Sequence, residues 1–132
     1  MIALDTNALV RYIVQDDPAQ AAAATRLIES ECRADEPGLV SSVTMCELVW
    51  VLGRGYRTGK ARIVAVLRTI LSAEELQVED PELAWRALDH FESGTADFAD
   101  YLVGASNRSR GAATTYTFDK TAAASELFTL IE

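Results

Sequence analysis

Five short apolar stretches, at residues 2–5, 38–41, 76–79, 113–117 and 127–131, recur along the chain, with longer segments of helical periodicity between them. No other feature restricts the fold as much. Short apolar runs of this kind read as strands covered on both faces, the habit of parallel sheets, whose neighbouring strands need helical crossovers. The order is broadly β-α-α-β-α-α-β-α-α-β-α-β, which predicts an α/β fold with a mainly parallel sheet. No linker, repeat or low-complexity tract marks a boundary, so the 132 residues are expected to form a single domain, 1–132.

The helix starts are legible. Asp17-Pro18 and Asp80-Pro81 each place a capping acid before a proline at the first helical position, where the missing N–H would have been unpaired anyway. Helices are expected over about 18–33 and 81–92, after Thr6, and over about 44–53, 58–72 and 98–110, the last ended by Gly111.

The 49% hydrophobic content is ordinary for a globular protein. The chain opens without a basic leader and cleavage site. Its apolar runs, such as residues 63–67, fall far below the roughly 18 residues of a membrane span, so a cytoplasmic protein with no membrane partner is expected. Cys32 and Cys46 have neither CxxC pairing nor metal-like companions and are expected to be reduced, packed thiols.

A net charge of −8 argues against nucleic-acid binding by bulk attraction. Positive charge is nevertheless segregated. Between Glu47 and Glu74 there is no acid, and Arg54, Arg57, Lys60, Arg62 and Arg68 give a local +5 against −13 elsewhere. These residues either contact phosphate or form the wet face of a helix that turns Ile63, Val66, Leu67 and Ile70 inward.

Acids gather where the predicted strands end. In an open parallel α/β sheet the carboxyl ends of the strands and the starts of the following helices share one edge, where ligands bind. Asp5 of "LDTN" is placed there, as is Glu47 of "SSVTMCELVWVL", expected in the first turn of its helix. Asp97 and Asp100 of "GTADFADYLVGA" share a helical face at i,i+3 spacing, and Asp119 follows a strand in "TTYTFDK". Each alone is a plausible cap: Thr44-x-x-Glu47 reads as a capping box, Asp97 as an N-cap, and an acid in a first turn gains about 0.3–1 kcal/mol. Together they are costly. Two carboxylates about 4 Å apart repel by about 4 kcal/mol at an effective dielectric of 20.

Something cationic is therefore expected among them. Lys120 is the one obvious protein cation nearby, and the lone His90 reads as a surface residue rather than a ligand. A metal answers the need, and an oxygen-only donor set favours Mg²⁺ or Mn²⁺ over Zn²⁺.

Asp5 in "LDTN", Glu47 in "MCELVWVL", Asp100 in "DFADYLVGASNRSRG" and Asp119 in "TFDK" resemble the four acidic positions of PIN domains, in order and spacing over nearly the whole chain. The compact size and the "ELVWVL" helix are most similar to the VapC toxins of bacterial toxin–antitoxin pairs. The resemblance implies a PIN-like three-layer α/β/α fold with a central, mainly parallel five-stranded sheet. It also implies a metal-dependent endoribonuclease acting on cytoplasmic RNA and held inactive by a cognate VapB-like antitoxin. Asp5, Glu47, Asp100 and Asp119 would be the catalytic and metal-site acids, with Asp97 as a further metal ligand. Thr6, Asn7 and Thr117 would orient an acid or a water. Arg54, Arg57, Lys60 and Arg62 would steer RNA, and a homodimer would extend that basic surface. An Arg-rich antitoxin segment would enter the acids, and Val10, Ile13, Val51 and Leu52 are either a seat for its remainder or ordinary core. Tyr101 and Tyr116 depart from the family pattern, which bears on the shape of the substrate groove.

Two other classes use similar residues. An aspartate-nucleophile phosphatase wants Asp-x-Asp where this chain has Asp5-Thr6-Asn7, and a receiver domain wants paired acids after its first strand and a lysine ending its fifth. A non-enzymatic α/β regulatory or binding module would use the acids as caps alone and gain no stability from metal.

Overall fold

The computed structural model describes all residues, Met1–Glu132. The elements are α1 (Thr6–Val14), α2 (Pro18–Glu31), β1 (Gly38–Val40), α3 (Ser42–Trp50) with a π-helical turn at Val51–Gly55, α4 (Lys60–Ser72), β2 (Leu76–Val78), α5 (Pro81–Ser93), α6 (Phe98–Ser109), β3 (Thr115–Thr117), α7 (Lys120–Ala123) and β4 (Phe128–Leu130). This is a mixed α/β chain, in the predicted order. It divides into two compact units, Met1–Pro81 and Glu82–Glu132.

In the amino-terminal unit β1 pairs with β2 in parallel, Leu39 opposite Gln77. The stretch at residues 2–5, expected as a full strand, contributes a single parallel bridge from Ala3 to Leu39, made by Leu4 N–H donating to Leu39 O and Leu39 N–H to Ile2 O, 2.9 and 2.8 Å. It stops there because Asp5 already caps α1. Helix α1 packs on α2 and α3, and α4 packs on β2. The buried side chains include Leu9, Val40, Met45, Leu48, Leu52 and Leu67.

In the carboxy-terminal unit β3 pairs with β4 in parallel, Tyr116 opposite Thr129. Helix α6 comes close to β4 because Gly104 has no side chain: a Cβ there would stand 2.8 Å from the Phe128 ring and 2.9 Å from Leu127 Cβ. Phe98, Leu88, Tyr101 and Leu127 are buried here, and the Phe91 and Phe98 rings meet edge to face at 6.0 Å.

The expected five-stranded sheet is thus corrected to two parallel pairs, one isolated parallel bridge at Ala3 and one isolated antiparallel bridge between Arg33 and Glu36. Each paired strand is three residues long. The chain leaves β1 and β3 almost at once for the N-caps Ser41 and Asp119, which limits both ladders.

Helix α5 starts at Pro81 as expected and α4 at Lys60, two residues after the expected 58, while the caps of α3 and α5 differ from expectation. Asp17 caps α2 as predicted, accepting from Gln20 N–H at 3.1 Å. Helix α3, however, begins two residues before Thr44: Ser41 is the N-cap, its hydroxyl oxygen accepting from Thr44 N–H at 3.1 Å. Asp80, expected to cap α5, lies at φ 46°, a left-handed conformation that Asp tolerates better than most residues. The predicted end of α6 holds, with Gly111 at φ 101°. Neither cysteine is in a disulfide, and burial raises the Cys32 thiol pKa. No helix is long and apolar enough to cross a membrane.

Candidate functional site

Asp5 stands at the junction of the Ile2–Leu4 backbone with α1. Its carboxylate is the N-cap, accepting from Ala8 N–H at 3.0 Å, so it sits at the positive end of the helix dipole. Glu47 lies in the second turn of α3 rather than the expected first turn, a consequence of the earlier start at Ser41. The Thr44-x-x-Glu47 capping box is therefore not formed. Glu47 instead accepts a hydrogen bond from the Thr6 hydroxyl at 3.0 Å, which ties the start of α1 to α3 and brings Glu47 beside the residue after Asp5. Thr6 thus orients Glu47 rather than Asp5. Asn7 is exposed on the first turn of α1.

The acids of the carboxy-terminal unit share one another's field. Asp97 and Asp100 form a capping box at the start of α6, with Asp97 N–H donating to Asp100 Oδ2 at 3.3 Å. Burial raises the Asp100 carboxyl pKa, the Asp97 N–H partly offsets this, and the charges of Asp97 and Asp119 raise it further. Asp119 is held the opposite way. Its carboxylate accepts from the Thr121 hydroxyl at 2.7 Å and from Thr121 N–H at 2.9 Å, which lowers its pKa. Thr117 fixes the same turn, its hydroxyl oxygen accepting from Asp119 N–H at 3.0 Å.

Tyr101 is a buried rivet rather than a groove residue. Its hydroxyl accepts from Ala96 N–H at 3.0 Å, holding the loop that delivers Asp97. His90, expected at the surface, is half-buried and stacks on the Tyr101 ring at 5.7 Å.

The basic segment leaves the π-helical turn and enters α4. Arg54, Arg57, Lys60, Arg62 and Arg68 are all exposed, with Arg57 at φ 52°. Of the four apolar residues proposed as a partner seat, Val10 and Leu52 are core. Ile13 lines a groove of about 280 Å³ with Leu9, Val66 and Ile70.

Two residues that matter were missed in the sequence. Thr121 could have been found from the Asp-x-Thr pattern of "DKT", a turn in which the side chain bonds backbone two residues on. Ser41 had the S-x-x-T spacing of "SSVT" in plain view, overlapped by the competing Thr44.

The donor set consists of carboxylates and hydroxyls, which suits a hard cation. No group of three or more His, Cys, Asp or Glu side chains stands at a spacing that would hold a metal ion, so there is no ready-made cage. Mg²⁺ keeps several waters and takes one or two carboxylates, a demand these acids meet.

The fold is α/β, with Asp5 and Asp119 capping helices that follow strand-like segments, the edge at which ligands bind in open α/β sheets. More narrowly, the chain belongs to the PIN domain family, whose model matches residues 2–125. PIN domains are generally nucleases that cut phosphodiester bonds, and they typically use divalent metals. Comparison with curated proteins and with solved structures gave no significant match.

Proposed function

We propose that the chain is a Mg²⁺- or Mn²⁺-dependent endoribonuclease, a VapC-type toxin of a bacterial toxin–antitoxin pair whose residues 1–132 work as one PIN domain in the cytoplasm. The observation that carries this reading is Asp100. It closes a capping box with the Asp97 N–H, yet burial and two neighbouring acids still raise its proton affinity, more than that one bond offsets.

Asp5, Glu47, Asp100 and Asp119 would hold the ion, with Asp97 as a further ligand. When bound, the cation lowers the pKa of water and offsets negative charge on the phosphate. The protein's own part is positional. Thr6 fixes the Glu47 carboxylate, and Thr117 and Thr121 fix Asp119. Asp100, half-buried at the start of α6, would orient the water that attacks phosphorus, and the leaving ribose oxygen would take a proton from solvent as its bond to phosphorus breaks.

Arg54, Arg57, Lys60 and Arg62 would guide the RNA backbone, and a homodimer would double that surface. A cognate antitoxin carrying Arg would pair with the acids. The groove beside Ile13 would take its apolar part.

A second reading is a binding module without catalysis, favoured by the fact that Asp5, Asp97 and Asp119 all occupy N-cap positions. Partner-free protein incubated with a pool of single-stranded and structured RNA separates the two. Cleavage with Mg²⁺ or Mn²⁺, none with EDTA and none by Asp100→Asn is the expected result. Folded protein that cuts nothing in the pool would move the assignment to the binding module.

A further inference from the structure

Tyr116 and Phe118 are 67% and 77% exposed, the two most exposed aromatic side chains of this unit. Tyr116 is the middle residue of β3 and Phe118 follows its last residue, immediately before Asp119. Alternation along the strand sends Thr115 and Thr117 to the other face, and Thr115 accepts there from the Asn107 side chain of α6 at 3.0 Å. The hydroxyl face of β3 therefore holds α6 and the Asp119 turn, while Tyr116 on the opposite face and Phe118 just past the strand leave two rings uncovered.

An isolated exposed aliphatic residue needs no explanation, but two adjacent exposed aromatics do. Charge limits what they can receive. The unit Glu82–Glu132 carries four Lys and Arg against eight Asp and Glu, so a phosphate chain gains nothing there from bulk attraction. Area limits it too. Side chains of this kind bury about 150–250 Å² each, so the pair offers roughly 300 Å², well under the roughly 800 Å² per partner of a stable interface between two copies.

An unpaired nucleobase needs neither charge nor large area. Every base has a flat face, and aromatic side chains on a strand are the usual platform for single-stranded nucleic acid. Resting on the nuclease reading above, we infer that Tyr116 and Phe118 form a base-stacking platform next to Asp119, which positions an unpaired base beside the bond to be cut.

The test is photocrosslinking of the full chain, as the Asp100→Asn variant so that the RNA stays intact, to single-stranded oligoribonucleotides carrying 5-iodouracil, with the same sequence as a duplex in parallel. Crosslinks mapping to Tyr116 and Phe118 with the single strand only are expected. Tyr116→Leu and Phe118→Leu should each weaken single-strand binding about tenfold with no change in its salt dependence or in thermal stability, and Tyr116→Trp should restore it. Crosslinks that map elsewhere, leucine variants that bind like the parent, or no RNA binding at all would overturn the platform. A leucine variant that turns a dimer into a monomer would assign the patch to a second copy of the chain instead. Failure of the nuclease reading looks different: the unmodified protein then cuts no RNA, whatever the crosslinks show.

Discussion

In the amino-terminal unit Asp5 and Glu47 each rest on a protein donor, Ala8 N–H and the Thr6 hydroxyl, and both are exposed. In the carboxy-terminal unit Asp100 is half-buried, holds only the long bond from Asp97 N–H, and feels Asp97 and Asp119. Asp5, Asp97, Asp100 and Asp119 lie at helix starts, and Glu47 one turn further in. Position at a helix start therefore does not separate a cap from a working group. What separates them is whether the carboxylate's surroundings favour its charge, as they do for Asp119, or oppose it, as they do for Asp100.

The largest effect should come from Asp100→Asn set against Asp5→Ala. Loss of a group acting in the transition state costs on the order of 10²–10³ in rate. Asp100→Asn should lose at least that much cleavage while melting no lower than the parent, since it removes a repelled charge and keeps the shape. Asp5→Ala should also lose cleavage but destabilise by about 1 kcal/mol, because a real cap has gone. Cleavage assays and denaturant curves on both variants read the contrast. An Asp100→Asn protein destabilised as much as Asp5→Ala would make Asp100 one more cap.

A smaller effect sharpens the same contrast within α3. Ser41, not Glu47, closes the cap with Thr44. Ser41→Ala should cost about 1 kcal/mol in chemical denaturation. Glu47→Gln should stay within about 0.5 kcal/mol, since its amide oxygen still accepts from Thr6, and should lose cleavage. Equal destabilisation by the two would restore the capping box at Glu47.

Much of this was legible in the chain because it is local. Asp17-Pro18 and Gly111 announce helix ends through backbone chemistry that needs no tertiary partner, and the order of elements follows from short apolar runs set between periodic ones. The start of α3 was not, because "SSVTMCE" contains two overlapping capping patterns, and the choice falls to where the chain leaves β1. The five-stranded sheet was not either: how many short strands actually pair is decided by packing, not by the apolar run of any one. Tyr101 misled for a similar reason. A tyrosine among polar residues looks like a surface change, yet its hydroxyl finds Ala96 N–H inside the unit. Of the candidate site, the acids were readable as residue types at spacings; the opposite pulls on Asp100 and Asp119 depend on Thr121 and on burial.

The smallest effect is the most direct probe of those pulls. Asp100 has its folded pKa raised above the usual 3.8, chiefly by burial, so the folded state holds its proton more tightly than the unfolded one. Stability then rises as pH falls through the window between that raised value and 3.8. Asp119 has its folded pKa lowered, first by the Thr121 hydroxyl, so its contribution is complete above 3.8 and is lost as pH falls through the lower value. The two act in adjacent windows with opposite sign. Thr121→Val should bring the Asp119 titration up toward 3.8 and flatten the loss of stability at the acid end, leaving the upper window unchanged; Asp100→Asn should do the reverse. Carboxyl titration by NMR in the parent and both variants separates them, because each signal belongs to one residue. If Asp100 and Asp119 titrate together in the parent, the carboxylates of this unit are equivalent and Asp100 loses its claim to a special role.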